Sequence, residues 1–432
     1  VASPDRIEDK FIVGLLHDKF IGMRRPVDSP FSPGSDTIPS VWAGRAAQLS
    51  DWEDVLRPRR LAGIAERGRT VLGEAGLGKS ALVRRIADGA RSKGDWVTDQ
   101  LRIPTGTDPL KRLAAALLDL ARGAGLPTAR DRRIKALLER VETVAVSGVS
   151  LSLRGQDGPE PYTALTELLL EVGREALRRK DTMVLIHLDE VQNITDERVL
   201  SQLLTALGDA LTHEEEVSVP GGLTVAMALP IAVYLTGLPE FQDRANAREG
   251  ATFVRRFQTS VLAALEPEDL KAALSPYALR GWEFAGAGEE RRVLLAADAL
   301  QEIVDLSHGE PFLFQLAGHR AWLAGSGSTI TREEVRRGWL SAEGEAENYV
   351  QRILDRLPER EREFIEAMAA LPPADRTLTA IANAAGFDKA SAAGPTSRRL
   401  DTVRGLIRRG TPYSFRHRAV QAYLEGDWPR LA

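Results

Sequence analysis

The sequence predicts an α/β chain: a parallel five-stranded sheet covered by helices, then a helical segment, then a small unit of three helices and a β-hairpin. Three observations predict it. Short apolar runs alternate with longer helical patterns between residues 40 and 265, strand-like runs stop after Glu266, and residues 359–432 follow a helix, helix, helix, hairpin order. The chain has 432 residues. At about 150 residues per domain that is roughly two to four domains.

Taken in order, residues 5–23 read as one amphipathic helix, and the segment 25–39, with Pro26, Pro30, Pro33, Gly34 and Pro39, reads as an irregular arm. Strands are expected at 69–72, 96–101, 183–188, 231–236 and 257–262. Alternation of Val144, Val146, Val149, Leu151 and Leu153 around Ser147-Gly148 reads as an inserted hairpin. Residues 266–342 read as helices only. A connector helix at 343–357 leads to helices at 360–371, 378–385 and 396–404, two short strands around Gly410-Thr411-Pro412, and a final short helix. The expected domains are therefore 1–38, 39–265, 266–342 and 343–432.

Composition narrows the chemistry. With 43% hydrophobic and 27% charged residues the chain has the balance of a globular protein, and with no cysteine it has no disulfide, iron–sulfur cluster, thiolate zinc site or cysteine nucleophile. The acid residues among the first few, and an apolar stretch at 223–235 broken by Pro230, predict neither a signal peptide nor a transmembrane helix; the absence of cysteine leaves the redox compartment open, with a reducing cytoplasm the easier expectation. Nine lysines stand against 48 arginines. That bias reads as a compositional habit rather than a function.

The segment Gly73-Glu74-Ala75-Gly76-Leu77-Gly78-Lys79-Ser80 fits G-x-x-x-x-G-K-[ST] at every required position. An apolar strand (Thr70-Val71-Leu72) runs in and a helical pattern (Ala81, Leu82, Ile86) runs out. The glycines allow backbone N–H groups to converge on phosphate oxygens, and the helix N-terminus adds a favourable dipole. Lys79 is expected on the β- and γ-phosphates and Ser80 on Mg²⁺. A second anchor for the ion is expected at the end of a buried strand. Met183-Val184-Leu185-Ile186-His187-Leu188-Asp189-Glu190 provides it, with Asp189 for the metal and Glu190 to polarise an attacking water. An acid pair suits water as acceptor, so the sequence predicts a P-loop NTPase that hydrolyses its nucleotide.

Two further catalytic candidates follow from position. Thr236 ends the strand after the acid pair and is expected to reach the γ-phosphate or the water. Arg255 and Arg256 precede the last strand, where an arginine can serve a neighbouring subunit's nucleotide.

These motifs resemble those of the AAA+/STAND-type P-loop ATPases related to the Orc1/Cdc6 and archaeal ATPase group, over about residues 28–426. The resemblance rests on Pro30-Phe31-Ser32-Pro33-Gly34 with Trp42-Ala43-Gly44-Arg45, on the phosphate loop, on Leu188-Asp189-Glu190-Val191-Gln192, and on Gly309-Glu310-Pro311-Phe312. It implies an ATP cofactor with Mg²⁺, an adenine pocket bordered by Gly44 and Arg45, a helical lid whose Pro311 lies near the nucleotide, a nucleotide-dependent homo-oligomer, and a C-terminal winged-helix domain. The lid lacks an arginine at this motif, with only His308, His319 and Arg320 nearby. A slow ATPase switch is therefore expected.

The last unit carries an excess of base over acid. Arg398, Arg399, Arg404, Arg408, Arg409, Arg416 and Arg418 face only Asp401 between positions 398 and 418. Arg398, Arg399, Thr402 and Arg409 are the candidate DNA contacts, with an acidic face of the ATPase domain as the alternative partner for the arginines. Two other functional readings stand beside the switch: a DNA-binding initiator or transcriptional regulator with ATP as structural ligand, and an oligomerising signalling or defence scaffold.

Overall fold

The structure, a computed structural model, describes residues 24–34, 38–124, 161–245, 255–286, 289–426 and 428–431. The expected helix at 5–23 and the hairpin at 144–153 lie outside them. The chain forms two compact units. One comprises Arg45–Ala263 with Arg398–Gly405; the other comprises Val1–Gly44, Ala264–Ser397 and Leu406–Ala432.

The first unit is built on a parallel sheet. Its strands are β1 (Gly68–Leu72), β2 (Trp96–Val97), β3 (Leu101–Arg102), β4 (Val184–Asp189), β7 (Ile231–Gly237) and β8 (Phe257–Val261), in the order β2-β4-β7-β1-β8, with β3 also on β4. β1, β4 and β7 are buried along their whole length, as central strands of a sheet covered on both faces are, with the polar Arg69, Thr70, His187 and Asp189 buried among the apolar residues. The expected single strand at 96–101 is two short pieces. Val97 pairs with Leu185 and Leu101 with Leu188, so three edge residues lie opposite two on β4. That one-residue excess is a bulge in the edge.

The helices of this unit are α1 (Ala46–Ser50) and α2 (Arg57–Leu61), joined through a π-helical stretch Asp51–Leu56, then α3 (Lys79–Ser92), α4 (Pro109–Gly123), α5 (Pro161–Arg178) and α6 (Glu197–Thr212). Asp108 and Asp196 cap α4 and α6 by accepting backbone N–H groups of the first turn. Leu113 and Leu117 of α4, Leu168 and Val172 of α5, and Leu203 and Leu207 of α6 fall at helical spacing and share one core with Ile186 and Val233. Arg60 is fully buried and donates to the carbonyls of Leu211 (2.9 Å), Leu229 (3.3 Å) and Glu66; burial pushes its pKa down to about 10, so it stays charged at neutral pH. It joins α2 to the ends of α6 and of the next hairpin.

That hairpin, β5 (Glu214–Val219) and β6 (Leu223–Ala228), was not anticipated. Its signal was Pro220-Gly221-Gly222, where both glycines take positive φ. The apolar stretch that follows Gly222 contains β6, a turn at Leu229-Pro230 and the buried β7.

In the second unit, α7 (Pro267–Leu279), α8 (Ala297–Ser307), α9 (Pro311–Leu323) and α10 (Arg332–Leu340) are the helices of the segment expected to be a lid. The expectation of helices only at 266–342 is overturned. β9 (Trp282–Gly286), β10 (Glu289–Leu295) and β11 (Thr329–Ile330) form a three-stranded sheet there. Trp282 alternating with Glu283, and Val293 and Leu295 flanking Leu294, carry the period-two signal, with both valine and tryptophan buried. The arm joins this layer: Phe31 packs edge-on against Trp282 and Phe314, and Gln315 of α9 accepts from Ser32 N and donates to Val41 O.

The chain continues through α11 (Glu343–Asp355), α12 (Glu359–Ala370), α13 (Leu378–Ala384), α14 (Ala390–Arg398), the antiparallel pair β12 (Ile407–Arg408) and β13 (Ser414–Phe415), and α15 (Arg418–Glu425). Three helices and a two-stranded wing give the winged-helix order.

Gly309 is the sharpest constraint in the lid. Its φ is +81°, its carbonyl accepts from Leu265 N at 2.7 Å, and a Cβ there would lie 2.3 Å from Leu265 O. We expect Gly309→Ala to lower the free energy of urea unfolding by about 2 kcal/mol or more; a change below about 0.5 kcal/mol would contradict the assigned geometry.

Candidate functional site

The loop after β1 turns directly into α3. Gly76 and Gly78 take left-handed φ of 87° and 78°, and no side chain caps the helix that starts at Lys79. A helix start leaves its first N–H groups without intrahelical partners. Lys79 is 9% exposed, and its Nζ donates to Gly73 O (2.8 Å) and Glu74 O (3.0 Å), lodged inside the loop. Ala81 follows in the first helical turn. Arg45, itself left-handed at φ 66°, donates from Nη2 to Leu77 O at 3.0 Å, steadying the loop from its far side. Gly44 (φ 62°) and Pro311, the first residue of α9, belong to the other unit.

Asp189 ends β4, 1% exposed. One oxygen, Oδ2, accepts from Ser80 Oγ (3.0 Å) and from Gln100 Nε2; the other, Oδ1, accepts from Glu190 N (3.0 Å) and Thr236 Oγ1. Burial by itself would raise this carboxyl, but nearby His187 and the donors Thr236, Ser80 and Gln100 outweigh it and hold Asp189 below the ordinary carboxylate range. It is ionised at neutral pH. Ser80 Oγ and Asp189 Oδ2 are thus two hard oxygens brought together beside an uncapped helix start, a donor set that suits Mg²⁺.

Glu190 follows β4 in the left-handed region at φ 59°. Its carboxylate accepts from Gln192 Nε2, and Gln192 Oε1 accepts from Leu238 N at 3.0 Å, tying the acid to the end of β7.

Two expected catalytic residues have partners within the chain. Thr236 is fully buried, and its hydroxyl is engaged by Asp189 and by His187 Nε2 (2.9 Å) rather than offered to the loop. Because a carboxylate only accepts, Thr236 donates to Asp189 and accepts from His187, which assigns the neutral imidazole its proton on Nε2. Arg256 is held on its own chain: Nη2 lies 2.9 Å from Asp209, Nη1 donates to Thr205 O (3.4 Å), and the side chain covers Gly208 of α6.

The arginine cluster divides. Arg398, Thr402 and Arg409 are exposed, whereas Arg399 pairs with Asp243 (2.5 Å) and the buried Arg404 with Glu240 (3.2 Å), both acids following β7. Sequence reading missed Gln100, His187 and Gln192. Gln192 stood within the quoted strand-end motif, while Gln100 and His187 carried no signal beyond being polar residues in or beside buried strands.

A parallel sheet whose strand β1 feeds a glycine-rich loop into a helix, with an acid-bearing strand two positions away, defines a P-loop nucleotide-binding fold. No protein-family model matches the chain, and neither does any curated protein. Among solved structures it is similar to the ORC2 protein of Aeropyrum pernix in ADPNP–ADP complexes (15% identity, TM-score 0.49, 94% of this chain and 96% of that one). It is also similar to Cdc6p from Pyrobaculum aerophilum (16%, 0.43, 91% and 97%) and to the Aeropyrum pernix ORC1 protein in complex with DNA (17%, 0.38, 90% and 93%). These are the Orc1/Cdc6-type proteins that the sequence motifs resemble. At such scores the likeness is one of general form, and the fold assignment rests on the sheet order and the loop. Among the described residues no helix is long and apolar enough to cross a membrane.

The buried histidine makes the site's stability depend on pH. Burial pushes His187 down to about 4 from an ordinary 6.5, so the unfolded chain takes up a proton below pH 6.5 that the folded chain refuses until about pH 4. The lowered Asp189 acts in the same sense at lower pH. Stability from both is fully present at neutral pH and is lost as pH falls through this window. Urea titrations at pH 7, 6, 5 and 4.5 are expected to show a steady decline, to which the half-buried His308 and the buried His417 also contribute, and which His187→Asn makes shallower; an identical slope in the variant would contradict the assignment.

Proposed function

We propose that the chain binds Mg-ATP and hydrolyses it slowly to ADP and phosphate, acting as a nucleotide-dependent switch. The observation that carries this reading is Ser80 Oγ lying 3.0 Å from an ionised, fully positioned Asp189 at the uncapped start of α3. The loop N–H groups and Lys79 bind the phosphates; Ser80 and Asp189 are the residues that hold Mg²⁺. When bound, the cation supplies charge neutralisation on the phosphate oxygens. Glu190 orients a water for attack on the γ-phosphorus and takes its proton as the new P–O bond forms and the bond to ADP breaks, the electron pair leaving with ADP. Adenine as the base follows only the family resemblance.

Lys79→Ala is expected to abolish nucleotide binding in a calorimetric titration. Glu190→Gln is expected to keep the affinity and to slow phosphate release by about a hundredfold or more. Unchanged affinity in the first variant, or unchanged turnover in the second, overturns the respective role.

The exposed Arg398, Thr402 and Arg409 support a second reading, binding of DNA by the winged helix. Phosphate contacts of this kind make log K fall linearly with log salt concentration. Arg398→Ala and Arg409→Ala are each expected to reduce that slope by about one unit in fluorescence-anisotropy titrations with duplex DNA. No binding at low salt would remove this reading and leave the ATPase untouched.

A further inference from the structure

The edge bulge has a chemical product. β2 ends at Val97 and β3 begins at Leu101, so Thr98, Asp99 and Gln100 fill the space opposite Ile186 and His187. Thr98 bridges the gap, its N–H donating to Leu185 O (3.0 Å) and its hydroxyl accepting from His187 N (3.3 Å). Beyond the bulge the ladder resumes with Ile103 N donating to Asp189 O at 2.9 Å. The extra residue shifts the side-chain alternation by one, and Gln100 lies against Asp189 in place of facing away.

Gln100 is gripped at both ends. Arg84 Nη2 donates to its Oε1 at 2.6 Å, and its Nε2 donates to Asp189 Oδ2. The amide orientation follows from chemistry, since guanidinium only donates and carboxylate only accepts. Arg84 lies one helical turn beyond Ser80 on α3, so the same face of that helix holds Asp189 Oδ2 twice, directly through Ser80 and indirectly through Arg84 and Gln100. The neutral amide also keeps the Arg84 charge one residue away from the carboxylate.

We propose that Gln100 is a positioning residue of a divalent-cation site: anchored by Arg84, it occupies one lone pair of Asp189 Oδ2 and leaves the other, where Ser80 sits, to a hydrated divalent cation. This rests on reading Ser80 and Asp189 as the site of a metal-bound nucleotide. Outer partners of metal ligands set ligand orientation, and their loss costs about 10- to 100-fold in metal affinity. Without the amide, the Asp189 carboxylate loses one of its four holds and Arg84 loses the spacer that separates it from the acid.

The test uses the full chain with ADP and Mn²⁺ as probes. Electron paramagnetic resonance reads Mn²⁺ affinity in saturating ADP, and calorimetry reads ADP affinity in EDTA. Gln100→Ala is expected to weaken Mn²⁺ by about tenfold or more, and Arg84→Met by a smaller factor. ADP affinity in EDTA is expected to change less than about twofold, because the phosphate loop is not touched by Gln100. Gln100→Met, close in volume, carries the same expectation if the alanine variant does not fold. Mn²⁺ affinity within about twofold of wild type overturns the proposal. So does a parallel loss of ADP affinity in EDTA, which would mark Gln100 as a general support of the fold. A wild-type chain that binds ADP neither in EDTA nor with Mn²⁺ would instead overturn the nucleotide reading on which the proposal stands.

Discussion

The carboxylate of Asp189 is the fixed point of this molecule. It is nearly inaccessible, yet four donors from four different segments converge on its two oxygens: Ser80 from the start of α3, Gln100 from the bulged edge, Glu190 N from its own strand end, and Thr236 from β7. A buried ionised group without such partners would carry a desolvation cost of several kcal/mol. Here the partners keep the acid charged, and the charge in turn fixes where each of them must stand.

The sheet order is what lets those segments meet. β4 lies between the split edge and β7, and β7 separates it from β1, which feeds the phosphate loop. Each neighbour of β4 therefore contributes one side chain at the same end, while α3 crosses from the loop with Ser80 and Arg84 on a common face. Behind this row His187 supports Thr236, and Arg45 braces the loop through Leu77 O. The cost of burying His187 in its neutral form is a site that weakens as the solution becomes acidic. In the other unit the carbonyl of Gly309 joins the lid to Leu265, and only glycine fits there.

Legibility in the sequence tracked the kind of physics involved. Long buried strands such as 184–189 and 231–237, the loop 73–80 and the helices of the lid and winged helix were legible because apolar periodicity and glycine spacing are local properties. The lid sheet at 282–295 and the hairpin at 214–228 escaped, although alternation at Trp282-Glu283-Phe284 and the turn Pro220-Gly221-Gly222 marked them. Helical context and an apolar run across Leu223 to Leu235 masked both. Gln100 could not be found at all, because its role depends on a bulge whose existence is a matter of register between two strands far apart in the chain. Thr236 and Arg256 stood out in the sequence by position alone, and their partners, Asp189 with His187 and Asp209 with Thr205, are tertiary facts.

The central claim is that an oriented Asp189 and the loop around Lys79 together make a metal-nucleotide site. Calorimetric titration of the wild-type chain with a slowly hydrolysed ATP analogue, once in Mg²⁺ and once in EDTA, tests it most directly. The account predicts stoichiometric binding that is clearly tighter in Mg²⁺. Absence of binding, or an affinity indifferent to the cation, would contradict it.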